Sequence, residues 1–133
     1  YKKPRANSYY SYIQPFEYYK EALEKLGNPK GFISSDSPDH ELVAGLVNEY
    51  GLELYDGDPM ETIIFGAGFN NLILSGGTFS FSIGVISKAE KVFAPGPNCL
   101  GLSFPSPHGW LGLNKWAKIS WDWSDDGIPY RCN

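Results

Sequence analysis

Two cysteines and two histidines among 133 residues leave little material for a metal centre. Cys99 and Cys132 stand too far apart for a paired-ligand motif, no histidine cluster joins them, and Asp56 with Asp58 lacks the rest of a calcium loop. The cysteines read as two free thiols or one disulfide closing the C-terminal arm, and two of them assign no compartment. No apolar run reaches the length that spans a bilayer, and no signal-peptide pattern is visible. A surplus of positive charge is also missing. With 15 acidic against 11 basic residues the net charge is −4, which gives no electrostatic reason to expect a nucleic-acid partner. Lys2, Lys3 and Arg5 read as a solvated start. Neither a Gly-x-Ser-x-Gly elbow nor Walker A nor a full dinucleotide fingerprint occurs, because Gly76-Gly77 is followed by Thr78 with no Lys-Ser/Thr pair. There is no repeat of fixed period and no low-complexity tract.

What is present is a globular composition, 42% hydrophobic and 20% charged, in a chain long enough to bury one core. Residues 1–133 read as a single domain: an N-terminal loop over 1–14, an α/β core over 15–95 and an irregular C-terminal arm over 96–133. Pro15 opens a helix to Leu26, with Phe16, Tyr19, Leu23 and Leu26 on one face and Gly27 at its end. A short strand, Gly31 to Asp36, follows. Ser37-Pro38 starts a second helix, whose stripe is Leu42, Val43, Leu46, Val47 and Tyr50 and whose stop is Gly51. His40 lies inside it and reads as a surface or packing histidine, while His108 in the proline-rich arm carries no assignment.

Leu52-Glu53-Leu54-Tyr55 makes the second strand. Asp58-Pro59-Met60-Glu61 is a capping-box start to a third helix that turns Met60, Ile63, Ile64 and Ala67 inward. The strand 71–75, a helix from Thr78 to about Glu90 buried through Phe81, Val85 and Ile86, and the strand Lys91–Pro95 complete the alternation. Alternating helices and strands predict a Rossmann-like parallel sheet with helices on both faces. In the arm, Ala117 to Trp121 is strand-like, Trp116 and Trp121 read as covers of a core edge, and Trp110 in its glycine-rich loop is the better candidate for ligand contact. The tail Ser124-Asp125-Asp126-Gly127 reads as exposed.

The chemistry centres on Asn71 to Ser82. Leu72-Ile73-Leu74 reads as a buried parallel strand. Gly76-Gly77 permits a close approach to the main chain, and Thr78 and Ser80 stand where a helix exposes unpaired N–H groups and the positive end of its dipole. Together they predict an anion site, most simply for phosphate. The same residues also read as a tight turn with Thr78 or Ser80 capping the helix. Ligands of such sheets sit outside the carboxyl ends of the strands. Those ends carry Ser34-Ser35-Asp36, Tyr55-Asp56, Ser75-Gly76-Gly77 and Ala94-Pro95-Gly96. Asp36 equally reads as a strand-end residue, and Asp58 and Glu61 as helix caps.

Four blocks, Phe32 to Asp36, Asp58 to Ile63, Ile73 to Phe81 and Lys91 to Pro95, resemble consecutive blocks of the alpha-1,2-fucosyltransferase family. The resemblance spans roughly residues 16–121, and Thr78-Phe79-Ser80 is its most specific part. It implies the C-terminal, nucleotide-binding half of a two-domain glycosyltransferase of the B type, transferring fucose from GDP-fucose to a glycan hydroxyl without metal or cofactor. Carried over, Ser75, Gly76, Gly77, Thr78, Phe79 and Ser80 would hold the diphosphate, with Thr78 and Phe79 on the β-phosphate. Asp36 and Glu61 or Asp58 would lie near the guanine and ribose, and Ser35 counts among the substrate-binding residues.

The departures are specific. Gly77 stands for the family's Ser, Phe81-Ser82 for its Trp pair and Ser37 for a second Asp. Its first motif, His-x-Arg-Arg-Gly-Asp-Tyr, does not occur; if Tyr1 is the last residue of that motif, the catalytic arginine belongs to an upstream domain. No catalytic residue is therefore assigned. The competing expectations are a non-catalytic α/β nucleotide-binding module lacking the arginine motif, and an unrelated phosphate-handling enzyme.

Overall fold

The computed structural model describes residues 13–96, 116–124 and 126–132. Chain order gives α1 (Phe16–Lys25), β1 (Phe32–Ile33), α2 (Glu41–Tyr50), β2 (Glu53–Leu54), α3 (Pro59–Ala67), β3 (Asn71–Ile73), α4 (Thr78–Ile86), β4 (Lys91–Pro95), β5 (Ala117–Ile119), β6 (Trp121–Trp123) and β7 (Pro129–Arg131). The fold is mixed α/β. β1 and β2 pair in parallel, β3-β4-β5 form a parallel three-stranded sheet, and β6 and β7 form an antiparallel hairpin. One continuous parallel sheet was the expectation; the ladders instead make separate small sheets, since among the described residues no ladder joins β1 or β2 to β3, β4 or β5. Apolar packing joins them, since Ile33 of β1 and Ile73 of β3 rest on the same cluster of Leu23, Leu42, Leu46 and Leu52.

Side-chain alternation along β4 sets the layers. Phe93 points to Tyr18 and Ala22 of α1 and to Ile119 of β5, whereas Val92 and Ala94 point to Leu74 and Trp116, with Phe81 of α4 against them. Helices thus cover both faces of the three-stranded sheet. Trp116 does cover the core, at 6% exposure. α4 comes close because Gly84 faces the sheet: a Cβ there would lie 2.7 Å from the Trp116 ring and 2.8 Å from Leu74 Cδ1.

Three expectations about helix faces and ends need correction. In α3 and α4, Met60, Ile64, Val85 and Ile86 point outward, all at least half exposed, while Thr62 and Gly84 take the buried positions. α4 stops at Ile86 rather than near Glu90, where Ser87 leaves helical angles and its hydroxyl donates to the Gly84 carbonyl. α2 begins at Glu41, capped by His40, whose Nδ1 accepts the Leu42 N–H at 3.1 Å; the Ser37 N–H goes instead to Ser35 Oγ. His40 is therefore a cap.

The arm is more ordered than expected, holding β5 and the hairpin β6–β7, whose turn contains Ser124, Asp126 and Gly127. Cys132 is disulfide-bonded. Cys99, His108, Trp110, Arg5 and the tyrosines of the N-terminal loop lie outside the described residues. Among the described residues no helix is long and apolar enough to cross a membrane.

Candidate functional site

β3 delivers the chain to the edge of the sheet at Leu74, which is buried and donates its N–H to the Phe93 carbonyl. Gly76 then turns the chain at φ +103°, a region that side chains with a Cβ avoid, and such a Cβ would also stand 3.2 Å from Pro95 Cγ. Gly77 is extended and forms the N-cap of α4. Without a side chain it offers no capping oxygen, and among the described residues no side chain caps α4. α2 and α3 differ here, being capped by His40 and Asp58.

The hydroxyl of Ser80 is used inside the turn. It donates to the Gly77 carbonyl at 3.1 Å and accepts the Gly76 N–H at 3.3 Å and the Ser75 hydroxyl at 3.4 Å. Ser80 therefore closes the loop. Thr78 and Phe79 are exposed, and the Thr78 hydroxyl has no protein partner among the described residues. A small pocket opens beside the turn, with Gly76, Gly77 and Ser80 on one side and Phe81, Pro95 and Trp116 on the others. Its empty volume is about 230 Å³ including the open mouth. Most of that is open solvent; the enclosed part is about 10 Å³, room for a single water, so the turn borders a shallow dent across which a ligand would have to lie.

The strand ends contribute unequally. Ser35 accepts from the Ser37 N–H in a local turn, and Asp36 is exposed beyond β1. Asp58 Oδ1 accepts the Glu61 N–H at 2.8 Å, the N-cap bond of α3. That backbone hydrogen bond holds the Asp58 carboxyl below its ordinary pKa, while Glu61, hydrogen-bonded to and repelled by the Asp58 side chain, is held above its own. None of Ser35, Asp36, Asp58 and Glu61 lines the pocket beside the turn. Among the described residues no group of three or more His, Cys, Asp or Glu is placed to hold a metal.

Lys118 is the charged residue that the sequence reading passed over. It pairs with Ala94 across the β4–β5 ladder, and its ammonium lies 5.4 Å from the centre of the Trp116 ring that walls the pocket. Burial lowers its pKa. The only available signal was the two-residue step from Trp116 to Lys118, which puts both on one face of a strand.

No protein-family model matches the chain, and no curated protein or solved structure matches it either.

Proposed function

We propose that the chain is a fucosyltransferase-like nucleotide-sugar domain that seats the diphosphate of GDP-fucose on the Ser75–Ser80 turn. Its small parallel sheets would then represent a Rossmann-like fold of the B-type glycosyltransferase kind. The observation that carries the reading is the start of α4: a glycine N-cap with no side-chain cap, an unpartnered Thr78 hydroxyl and an adjoining pocket. Unpaired amides and the helix dipole favour a negative group there. In glycosyl transfer the sugar–phosphate bond breaks and charge grows on the departing diphosphate, which preorganised N–H donors stabilise. Lys118 adds positive charge on the same face of the sheet as the pocket.

One observation favours a second reading, a nucleotide-binding module without catalysis. The chain has two arginines, Arg5 and Arg131. Arg131 is engaged by Glu21, and Arg5 lies outside the described residues. Titration calorimetry with GDP, UDP and GDP-fucose tests both readings. Binding of GDP and GDP-fucose in preference to UDP supports a guanine-nucleotide donor site, and no such preference defeats the transferase proposal. Binding without release of GDP from GDP-fucose, across a set of glycan acceptors, selects the non-catalytic module.

A further inference from the structure

In a parallel ladder a residue donates to the neighbour just before its partner and accepts from the one just after. β3 and β4 pair Ile73 with Phe93, so Leu74 falls opposite Ala94, and its N–H reaches the Phe93 carbonyl at 2.8 Å. The matching donor for the Leu74 carbonyl would be the N–H of residue 95. That residue is Pro95, which has no N–H. The carbonyl is satisfied from elsewhere: Tyr18, fully buried on α1, donates its hydroxyl to it at 2.6 Å. Leu74 is the last buried residue before the turn, and the ring of Pro95 also packs where a Cβ of Gly76 would be. One proline therefore both shapes the turn and removes the ladder bond that would have anchored it.

We infer that Tyr18 is the positioning residue of the Ser75–Ser80 turn. Its hydroxyl replaces the hydrogen bond that Pro95 cannot make and holds the backbone from which Gly76, Gly77 and Thr78 meet an anionic ligand. The ligand in this inference rests on the diphosphate reading; the geometry does not.

The test compares Tyr18→Phe, Pro95→Ala and the double variant in the full chain. Amide hydrogen exchange at Leu74 and Gly76, whose N–H groups bond the Phe93 carbonyl and Ser80 Oγ, is measured against the α2 amides as internal reference, alongside GDP affinity by calorimetry. Tyr18→Phe should accelerate exchange in the turn roughly tenfold relative to α2 and weaken GDP binding by a similar factor, the scale of one hydrogen bond lost. Adding Pro95→Ala restores an N–H opposite the Leu74 carbonyl and should return both readouts to within about threefold of the parent, a coupling that independent sites do not show. A change spread evenly over the turn and α2, or a double variant no better than Tyr18→Phe, overturns the inference. Should Tyr18→Phe alone not fold, recovery of the fold in the double variant supports the link, and no recovery overturns it. If the parent chain binds no GDP, the diphosphate proposal falls, while exchange in the turn still decides the role of Tyr18.

Discussion

Glu21 on α1 holds Arg131, 110 positions later, through two hydrogen bonds: Nε to Oε1 at 2.7 Å and Nη2 to Oε2 at 3.2 Å. The same carboxylate accepts the Trp121 indole N–H at 3.0 Å and pairs with Lys25 at 3.1 Å. One side chain thus ties both strands of the β6–β7 hairpin to the first helix, and the Trp123 indole adds a bond to the Ile13 carbonyl.

A pH-dependent stability follows from that clamp. Burial acts to raise the Glu21 pKa, but the hydrogen bonds from Arg131, Lys25 and Trp121 outweigh it and hold the group below its ordinary value. A carboxyl lowered by folding stabilises the native state above its unfolded pKa and loses that contribution as pH falls through the folded one. Glu21→Gln should therefore cost about 1–2 kcal/mol near neutral pH, with the gap to the parent closing below about pH 4. Urea unfolding across pH measures it. A gap that stays constant with pH would sink the assignment.

The contact of Gly84 with Trp116 and Leu74 makes a packing prediction. Alanine at 84 gains about 1 kcal/mol of helix propensity but places a methyl group within 2.8 Å of two buried side chains. Overpacking of this kind costs about 1–3 kcal/mol, so Gly84→Ala should lower the melting temperature despite the better helix former. Gly45→Ala in α2, where the added atom meets only the Phe16 ring at an ordinary 3.5 Å, is the control and should raise it.

At the start of α3 the two acidic groups work in opposite directions. Asp58, lowered by its cap bond, stabilises the fold above the ordinary carboxylate range and ceases to do so in acid. Glu61, raised beside Asp58, favours the fold while protonated and loses that contribution as pH rises through its raised pKa. Thermal melts at about pH 7 should therefore show Asp58→Ala below the parent and Glu61→Gln above it, with both differences shrinking by about pH 3. The reverse order would contradict the cap geometry.

Two substitutions at the α4 start separate stability from binding. Thr78→Val removes an unpartnered hydroxyl and should leave stability nearly unchanged while weakening diphosphate binding by about 1–3 kcal/mol. Gly77→Asp supplies the missing cap and a negative charge. It should raise the melting temperature slightly, since Asp leads Gly as an N-cap by a few tenths of a kcal/mol. It should also abolish binding of GDP, whose diphosphate would compete for the same amides. Unchanged GDP affinity in both variants, measured by calorimetry, would remove the turn from the site.

The local signals of the chain were legible where one residue settles one backbone event. Gly51 ends α2 in the left-handed region at φ 64°, Asp58 caps α3, and Gly76 takes the positive φ that the glycine turn required. The stripe Leu42, Val43 and Leu46 is buried as its spacing demands, because only one side of α2 is apolar. α3 and α4 lack that contrast. Apolar residues surround them, so periodicity cannot choose the inward face; Gly84 is fixed by its close contact with Trp116 and Leu74, and Thr62 turns in with its hydroxyl donating to the Asp58 carbonyl. Tyr18 and Lys118 escaped notice for a related reason, since each matters through a partner on another element.

By itself, the sequence determined the alternation of helices and strands, the parallel run through β4, and a glycine turn leading into a helix. Those features depend on neighbours within a few positions, where spacing and backbone preference act directly. The tertiary structure alone decided that the ladders break into small sheets, that Ser80 is consumed in closing its own loop and that Tyr18 completes the end of β3. These depend on which long-range surfaces meet, and a proline lacking an N–H reveals its consequence only when a strand is laid beside it.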